Sequence, residues 1–173
     1  MTSSTEEKLQ LCNMAKDISY RRPDYGFSYR VAGVVIENGK ALLQCFNGEY
    51  AFIGGQVAEN ERAAEALKRE FYEEIHTEIE VCEMCAVGET FFTWDNIPYQ
   101  QIGLYFKVSL PENVSIPRDG SFKGFDEYEN KRVDLDFCWI PLNELSDIPL
   151  YPKELIPHII SDSDKILHFI SND

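Results

Sequence analysis

A glycine pair followed by an acidic helix, at residues 54–74, constrains the fold of this chain more than any other segment. It reads GGQVAENERAAEALKREFYEE. At about 100° per residue, Glu70, Glu73 and Glu74 fall within an arc of about 100° on one face of the predicted helix. The apolar residues of the same helix form a stripe beside that arc. Because neighbouring like charges destabilise a helix, this arrangement predicts a bound cation.

The same glutamates are also compatible with an ordinary solvated surface helix. Arg69 lies four residues after Glu65 and four before Glu73, which is the spacing of ion pairs on an exposed helix. A glutamate cluster alone would favour that interpretation. The glycine pair at a fixed distance upstream argues against it.

The segment resembles the Nudix box, which reads Gly, five residues, Glu, seven residues, Arg-Glu, an apolar residue, any residue, Glu-Glu. The matching positions are Gly55, Glu61, Arg69, Glu70, Phe71, Glu73 and Glu74. The chain departs from the family pattern at His76 and Thr77, which replace a glycine and an aliphatic residue, and at Ile53, which replaces a common proline. We expect His76 to end the helix in the left-handed conformation, which histidine tolerates better than most residues.

This resemblance implies an α/β fold, namely a Nudix-type α/β/α sandwich with a mixed β-sheet packed between helices. It covers the box and, in the order of predicted strands, about residues 27–160. We expect one domain over residues 1–173, because the chain is long enough to bury a single sizeable core. Residues 1–25 are expected to form a helical extension of that domain.

Apolar, β-branched and aromatic runs predict strands at 27–37, 40–46, 49–53, 78–94, 98–110 and 133–142. Asn38-Gly39 and Asn47-Gly48 predict tight hairpin turns. Polar residues with prolines and glycines predict a long loop at 111–132. Helices are predicted at 5–17 and 152–170, with Pro157 in the first turn of the second or at a kink in it.

The three clustered carboxylates predict the metal. We expect Glu70, Glu73 and Glu74 to bind Mg²⁺ or Mn²⁺, because hard divalent cations prefer oxygen ligands. A main-chain carbonyl of the glycine pair, assigned to Gly55, would supply a further oxygen. The family resemblance implies that such a metal assists the cleavage of a P–O–P bond.

Other residues are predicted to position these groups or the substrate. Arg69 is expected to orient the carboxylates, and the resemblance implies a bracing role for Glu61. Arg30 is a cation in an otherwise apolar strand, and we expect it to face a substrate phosphate together with Gly54 and Gly55. A buried ion pair is the alternative for Arg30.

Two arrangements remain open for the general base. The family uses either a glutamate of the box or one from a later loop. In this chain the segment GFDEYENK offers Glu129, with Glu127 beside it, for the second arrangement. A solvated acidic loop is the alternative interpretation of that segment.

Charge and cysteine content limit the partners and the compartment. The chain has 16 Lys and Arg against 30 Asp and Glu, a formal net charge of −14, which should repel nucleic acids and anionic membranes. The polar N-terminus and the lack of a long apolar run predict a cytoplasmic protein. Five scattered cysteines predict free thiols, and Cys82 and Cys85 should point to opposite faces of a strand.

Together these features predict metal-dependent hydrolysis of a pyrophosphate bond in a nucleoside diphosphate linked to another moiety. Nucleotide sugars, ADP-ribose and nucleoside triphosphates all remain possible substrates. The alternative is a Nudix-fold nucleotide-binding regulatory module without turnover. A homodimer is expected from family habit alone. The aromatic residues of the hairpin at 91–99 could stack on a nucleobase, belong to the core or form a subunit contact.

Overall fold

The computed structural model describes residues 16–128 and 131–172. Over these residues the chain forms ten strands in one mixed sheet, two α-helices and one 3-10 helix. The strands are β1 Ser19–Arg21, β2 Gly26–Glu37, β3 Lys40–Phe46, β4 Glu49–Ala51, β5 Glu80–Trp94, β6 Ile97–Ser109, β7 Ser121–Tyr128, β8 Lys131–Pro141, β9 Leu150–Tyr151 and β10 Leu167–Asn172. The helices are α1 Ala63–Ile75, a 3-10 helix Leu142–Asp147 and α2 Leu155–Ile160.

Strand β2 lies at the middle of the strand order β10-β5-β6-β2-β3-β4-β9. It runs parallel to β6, with Val31 opposite Leu104, and antiparallel to β3, with Ile36 opposite Ala41. The turn between β2 and β3 has positive φ at both Asn38 and Gly39, which is the backbone that a two-residue hairpin requires. The predicted hairpin is therefore confirmed.

Side chains alternate along β2 and separate the core into two layers. Val31 belongs to a buried cluster with Phe71 of α1, whereas Val34 belongs to a second cluster with Ile159 of α2. A strand that is apolar on both faces must be covered on both faces. The predicted mixed sheet between helices is confirmed.

The loop predicted at 111–132 is wrong in its second half. Residues Ser121–Tyr128 form β7, which pairs antiparallel with β8, placing Ser121 opposite Cys138. The sequence concealed this strand because Lys123, Gly124 and Asp126 interrupt its aromatic residues, so that apolar and polar residues do not alternate regularly along it. Gly124 lies against α1, where a β-carbon would approach the main-chain oxygen of Glu74 to 2.2 Å.

The helix predicted at 152–170 is confirmed only in its first half and is wrong after it. Helix α2 covers only Leu155–Ile160, with Pro157 in its first turn, and Asp162 follows at a positive φ of 45°. The chain then forms β10, which pairs parallel with β5. Phe169 is buried against Gly88, so distant packing decides the conformation of this segment.

The predicted N-terminal helix at 5–17 lies almost wholly outside the described residues. Asp17 forms a bridge to Ala58, and Ser19–Arg21 is a strand beside β2. The expectation of a helical extension up to residue 25 is therefore wrong for these residues. The backbone groups of Ser19–Arg21 pair with β2, and therefore do not form the hydrogen bonds of a helix.

Two further expectations concern cysteines and membranes. Cys82 is exposed and Cys85 is buried, and both are free thiols. Cys12 lies outside the described residues. Over the described part of the chain, no helix is both long and apolar enough to cross a membrane.

The contact between β7 and α1 leads to a testable prediction. Gly124→Ala places a methyl group against the Glu74 carbonyl, and overpacking of this kind costs about 1–3 kcal/mol of unfolding free energy. Lys123→Ala on the same strand removes only an exposed ion pair and should cost less than about 1 kcal/mol. Urea unfolding measures both variants. Equal stability of the two would show that β7 does not pack on the helix.

Candidate functional site

Helix α1 carries the acidic residues and has defined ends. At its start the Glu65 carboxylate accepts a hydrogen bond from the Arg62 main-chain N–H at 3.3 Å, which satisfies one of the unpaired donors of the first turn. At its end His76 adopts φ 50° and ψ 40°, so the predicted left-handed conformation is confirmed. The His76 ring lies 4.5 Å from that of Phe125 on β7, a contact that glycine could not make.

The glycine turn brings the backbone against the helix. A β-carbon on Gly55 would lie 2.3 Å from the carboxylate of Glu70, and one on Gly54 would lie 2.1 Å from the Val31 carbonyl oxygen. Only glycine therefore leaves room for the Glu70 carboxylate at this point. The Val31 N–H donates to the Gly55 carbonyl at 2.9 Å, which fixes the turn to β2. As a metal ligand Gly55 would use the second lone pair of that carbonyl.

Arg69 connects the acidic helix to the turn. Its guanidinium donates to Glu61 at 2.9 and 3.0 Å, to Glu70 at 2.7 Å and to Glu73 at 3.0 Å. It also donates to the main-chain oxygen of Gln56 at 2.9 Å. A planar group with five donors can hold several acceptors at once. The contacts agree with the predicted orienting role of Arg69.

Glu61 is held in its charged form by this network. It accepts hydrogen bonds from Arg69 and from the Ala58 main-chain N–H at 3.0 Å. Burial opposes ionisation, but these hydrogen bonds outweigh it and lower the pKa of Glu61. Such a carboxylate can hold the Arg69 guanidinium in place, and its bracing role stays a prediction.

Glu74 is the exceptional member of the cluster. The residue is only 6% exposed, and its Oε2 atom lacks a hydrogen-bond partner among the described residues. Burial and then the nearby charge of Glu70 raise the pKa of Glu74 to about 8, while Arg30 opposes the shift. Burial also raises the pKa of Glu70, although Arg69 acts in the opposite direction.

An unpaired buried carboxylate oxygen beside other carboxylates has the chemistry of a divalent cation site. Within residues 16–128 and 131–172, no three acidic, histidine or cysteine side chains already form a complete ligand set. Arg69 engages Glu70 and Glu73 instead. The donor atoms thus fit a hard cation, and reorientation of the carboxylates from Arg69 would complete the set.

Arg30 lies between this acidic cluster and a cleft of about 1030 Å³. Its charge acts on both Glu70 and Glu74, and its guanidinium donates to the main-chain oxygen of Phe52 at 3.4 Å. Because the side chain also lines the cleft, it can meet an anion there. The geometry is compatible with the predicted contact to a phosphate.

The candidates for a general base lie on or next to β7. Glu129 lies outside the described residues, and Glu127 is opposite Arg132 in the pairing of β7 with β8. Sequence reasoning missed Asp126, whose charge helps raise the pKa of Glu74. Recognition of β7 as a strand would have indicated it, because the pairing of β7 with β8 fixes the position of Asp126 in the sheet. Sequence reasoning also missed Phe46, which lines the cleft.

The buried carboxylate predicts how stability depends on pH. Glu74 ionises near 4.5 ordinarily and near 8 in the folded protein, so between these values only the unfolded chain has released the proton. The metal-free protein should therefore lose stability as pH rises from about 5 to 9. Glu74→Gln should remove this loss and melt above wild type at pH 9, with a difference that shrinks towards pH 5.

Thermal unfolding in EDTA across this pH range measures the effect, with Glu65→Gln as the control. Glu65 is exposed on the same helix, and glutamine serves equally well in its capping position. A melting difference between Glu74→Gln and wild type that does not vary with pH would contradict the shifted ionisation.

Comparisons with known proteins agree with this fold. A NUDIX hydrolase from Nitrosomonas europaea is 20% identical, with 89% of this chain and 81% of that chain covered and a TM-score of 0.57. A MutT protein from Methanosarcina mazei Go1 is 16% identical, with 84% and 100% covered and a TM-score of 0.54. A UDP-X diphosphatase is 16% identical, with 98% and 76% covered and a TM-score of 0.53. Because these identities are low, the similarity establishes the fold alone.

Comparison with curated proteins finds no match. The family model of the NUDIX domain, however, matches residues 28–159, which is more than half of the chain and includes the glycine turn, α1 and the cleft. Nudix hydrolases generally use divalent metal ions and act on small nucleotide-type molecules. The chain therefore belongs to the NUDIX domain family and is assigned with it to the pyrophosphohydrolases.

Proposed function

We propose that this protein hydrolyses a pyrophosphate bond in a nucleoside diphosphate linked to another moiety, with Mg²⁺ or Mn²⁺ held by Glu70, Glu73 and Glu74. The observation that carries the proposal is the Glu74 carboxylate. It is buried, has an oxygen without a partner among the described residues, and lies beside two further carboxylates. A buried carboxylate without a full set of hydrogen bonds destabilises the folded protein. A role as a metal ligand accounts for its presence.

Each residue contributes a separate part of the chemistry. A divalent cation at the carboxylates would neutralise phosphate charge and lower the pKa of a water molecule. Arg69 restrains the free carboxylates through its hydrogen bonds. Arg30 would bind a phosphate oxygen from the cleft side, and the Gly54-Gly55 turn would let the substrate approach the backbone. Glu129 or Glu127 would accept the proton of the attacking water, unless a box glutamate does so.

The overall charge supports a small substrate. A net charge of −14 repels polyanions, whereas a local cation site lets a small phosphate compound bind. We therefore propose neither nucleic acid nor membrane as a partner, and a cytoplasmic location. The homodimer stays a prediction that rests on the family resemblance.

A binding module without turnover is the second candidate. The retained set of Glu70, Glu73 and Glu74 argues against it, because a module that does not bind catalytic metal would have no use for a destabilising carboxylate at Glu74. Both candidates predict nucleotide binding. Only the first predicts product formation.

Substitution of the carboxylates tests the hydrolase. Glu70→Gln and Glu74→Gln, made separately, should each lower the metal-dependent rate by at least about a hundredfold, because they remove charge where the transition state needs it. The assay treats the products of a nucleoside diphosphate panel with phosphatase and measures released phosphate with and without Mg²⁺ or Mn²⁺. Glu65→Gln should stay within about twofold of wild type.

Near-normal rates in both variants would show that the acidic face is not the metal site. Absence of turnover by wild type across the panel, together with nucleotide binding, would favour the binding module.

A further inference from the structure

One face of the mixed sheet is only partly covered by α1. The helix packs against Val31 of β2, which lies opposite Leu104 of β6, and Leu104 lies opposite Val87 of β5. Alternate residues along a strand share a face, so the registers place further apolar side chains on the face of Val31, namely Phe27, Val87, Phe91, Ile102, Leu104 and Ile170. Among the described residues, none of these belongs to a buried cluster or packs against one. We call the surface that they form the open face.

The open face is most exposed towards its edges. Ile170 of β10 is 55% exposed and Phe91 of β5 is 36% exposed, while Leu104 in the middle is half-buried. At the opposite margin Tyr20 of β1 stacks on Phe27, with ring centroids 5.7 Å apart. Single apolar residues are normal on a protein surface, but contiguous ones across several strands mark a site of interaction.

The size of the open face suits the centre of a protein interface. It extends over strands β1, β2, β6, β5 and β10. At about 4.8 Å between strands and about 6.7 Å between side chains on one face, it covers roughly 24 by 20 Å. A standard interface buries about 800 Å² on each partner, its polar rim included. The open face would therefore supply the apolar middle of such an interface.

Charge favours a second copy of this chain as the partner. The protein has a formal net charge of −14, so two copies repel each other over most of their surfaces. In the described strand segments that form the open face, the titratable side chains on that face are Glu89 and His168, which pair with each other at 2.9 Å. Two copies can meet here with little repulsion, whereas a basic partner would select the acidic surface elsewhere.

We infer that two copies of this protein pack their open faces together around a two-fold axis. Such an axis needs only one self-complementary patch, and sheets that pack face to face interdigitate their side chains about 10 Å apart. The cleft remains free, because its lining residues Thr90 and Gln101 alternate with those of the open face and point to the other side of the sheet. The inference thus gives a surface to the homodimer, and it does not depend on the proposed hydrolysis.

Analytical ultracentrifugation of the full chain tests the interface. Wild type should sediment as a dimer at the upper end of a series from about 1 to 100 μM, a range that covers interfaces of moderate affinity. Phe91→Glu and Ile170→Glu should each raise the dimer dissociation constant at least about tenfold, because each would bury an unpaired charge. Circular dichroism spectra like that of wild type verify that the variants are folded.

Two further variants separate the interface from the overall charge. Ile160→Glu adds the same charge at a residue of α2 that is 46% exposed on the other side of the sheet, and should leave the dissociation constant within about twofold of wild type. Ile170→Lys makes the protein less acidic and should still dissociate the dimer, since the lysine would also be buried without a partner.

Three results would overturn the inference. A wild type that stays monomeric throughout the series would do so, as would a dimer that survives every substitution on the open face. An effect of Ile160→Glu equal to that of Ile170→Glu would also overturn it. A monomer in which Phe91→Glu steeply lowers the melting temperature would assign the open face to another part of the same chain. Because no substrate is present, failure here and failure of the hydrolysis assay are distinguishable.

Discussion

The site depends on one guanidinium among several carboxylates. Arg69 joins Glu61, Glu70 and Glu73 of the acidic segment to the Gln56 carbonyl of the glycine turn. Without that group the carboxylates would repel one another at the border of an apolar core. Arg69 does not reach Glu74 among the contacts of the described residues, and Glu74 carries the remaining electrostatic strain. This is the position at which we propose that a cation binds.

The rest of the fold serves to enclose that position. Strand β2 fixes the glycine turn through Val31, and β7 closes over the end of α1 at Gly124. Glu74 is buried at this end of the helix, and burial raises its pKa and strengthens any charge interaction nearby. Arg30 faces the same carboxylates from the cleft. The proposed metal site and the cleft therefore meet at Arg30.

Sequence patterns predicted the structural features that are determined by residues close together in the chain. The periodicity of α1, its end at Ile75 and the left-handed His76 all follow from sequence positions within one segment. Strands β7 and β10 were missed because β8 and β5, not their own composition, determine their conformation. The site shows the same division. The box carboxylates and the aromatic hairpin at 91–99 were predicted, whereas Asp126 and Phe46 were recognised only from the paired strands of the structure.

Direct measurement of metal binding tests the central claim, that Glu74 and Glu70 form a cation site. Calorimetric titration of the protein with Mn²⁺, without substrate, isolates this step from turnover. Wild type and Glu65→Gln should bind Mn²⁺ with the same affinity, whereas Glu70→Gln and Glu74→Gln should bind at least about tenfold more weakly, because each loses a charged oxygen ligand. Equal binding by all four proteins, or no binding by wild type, would contradict the account.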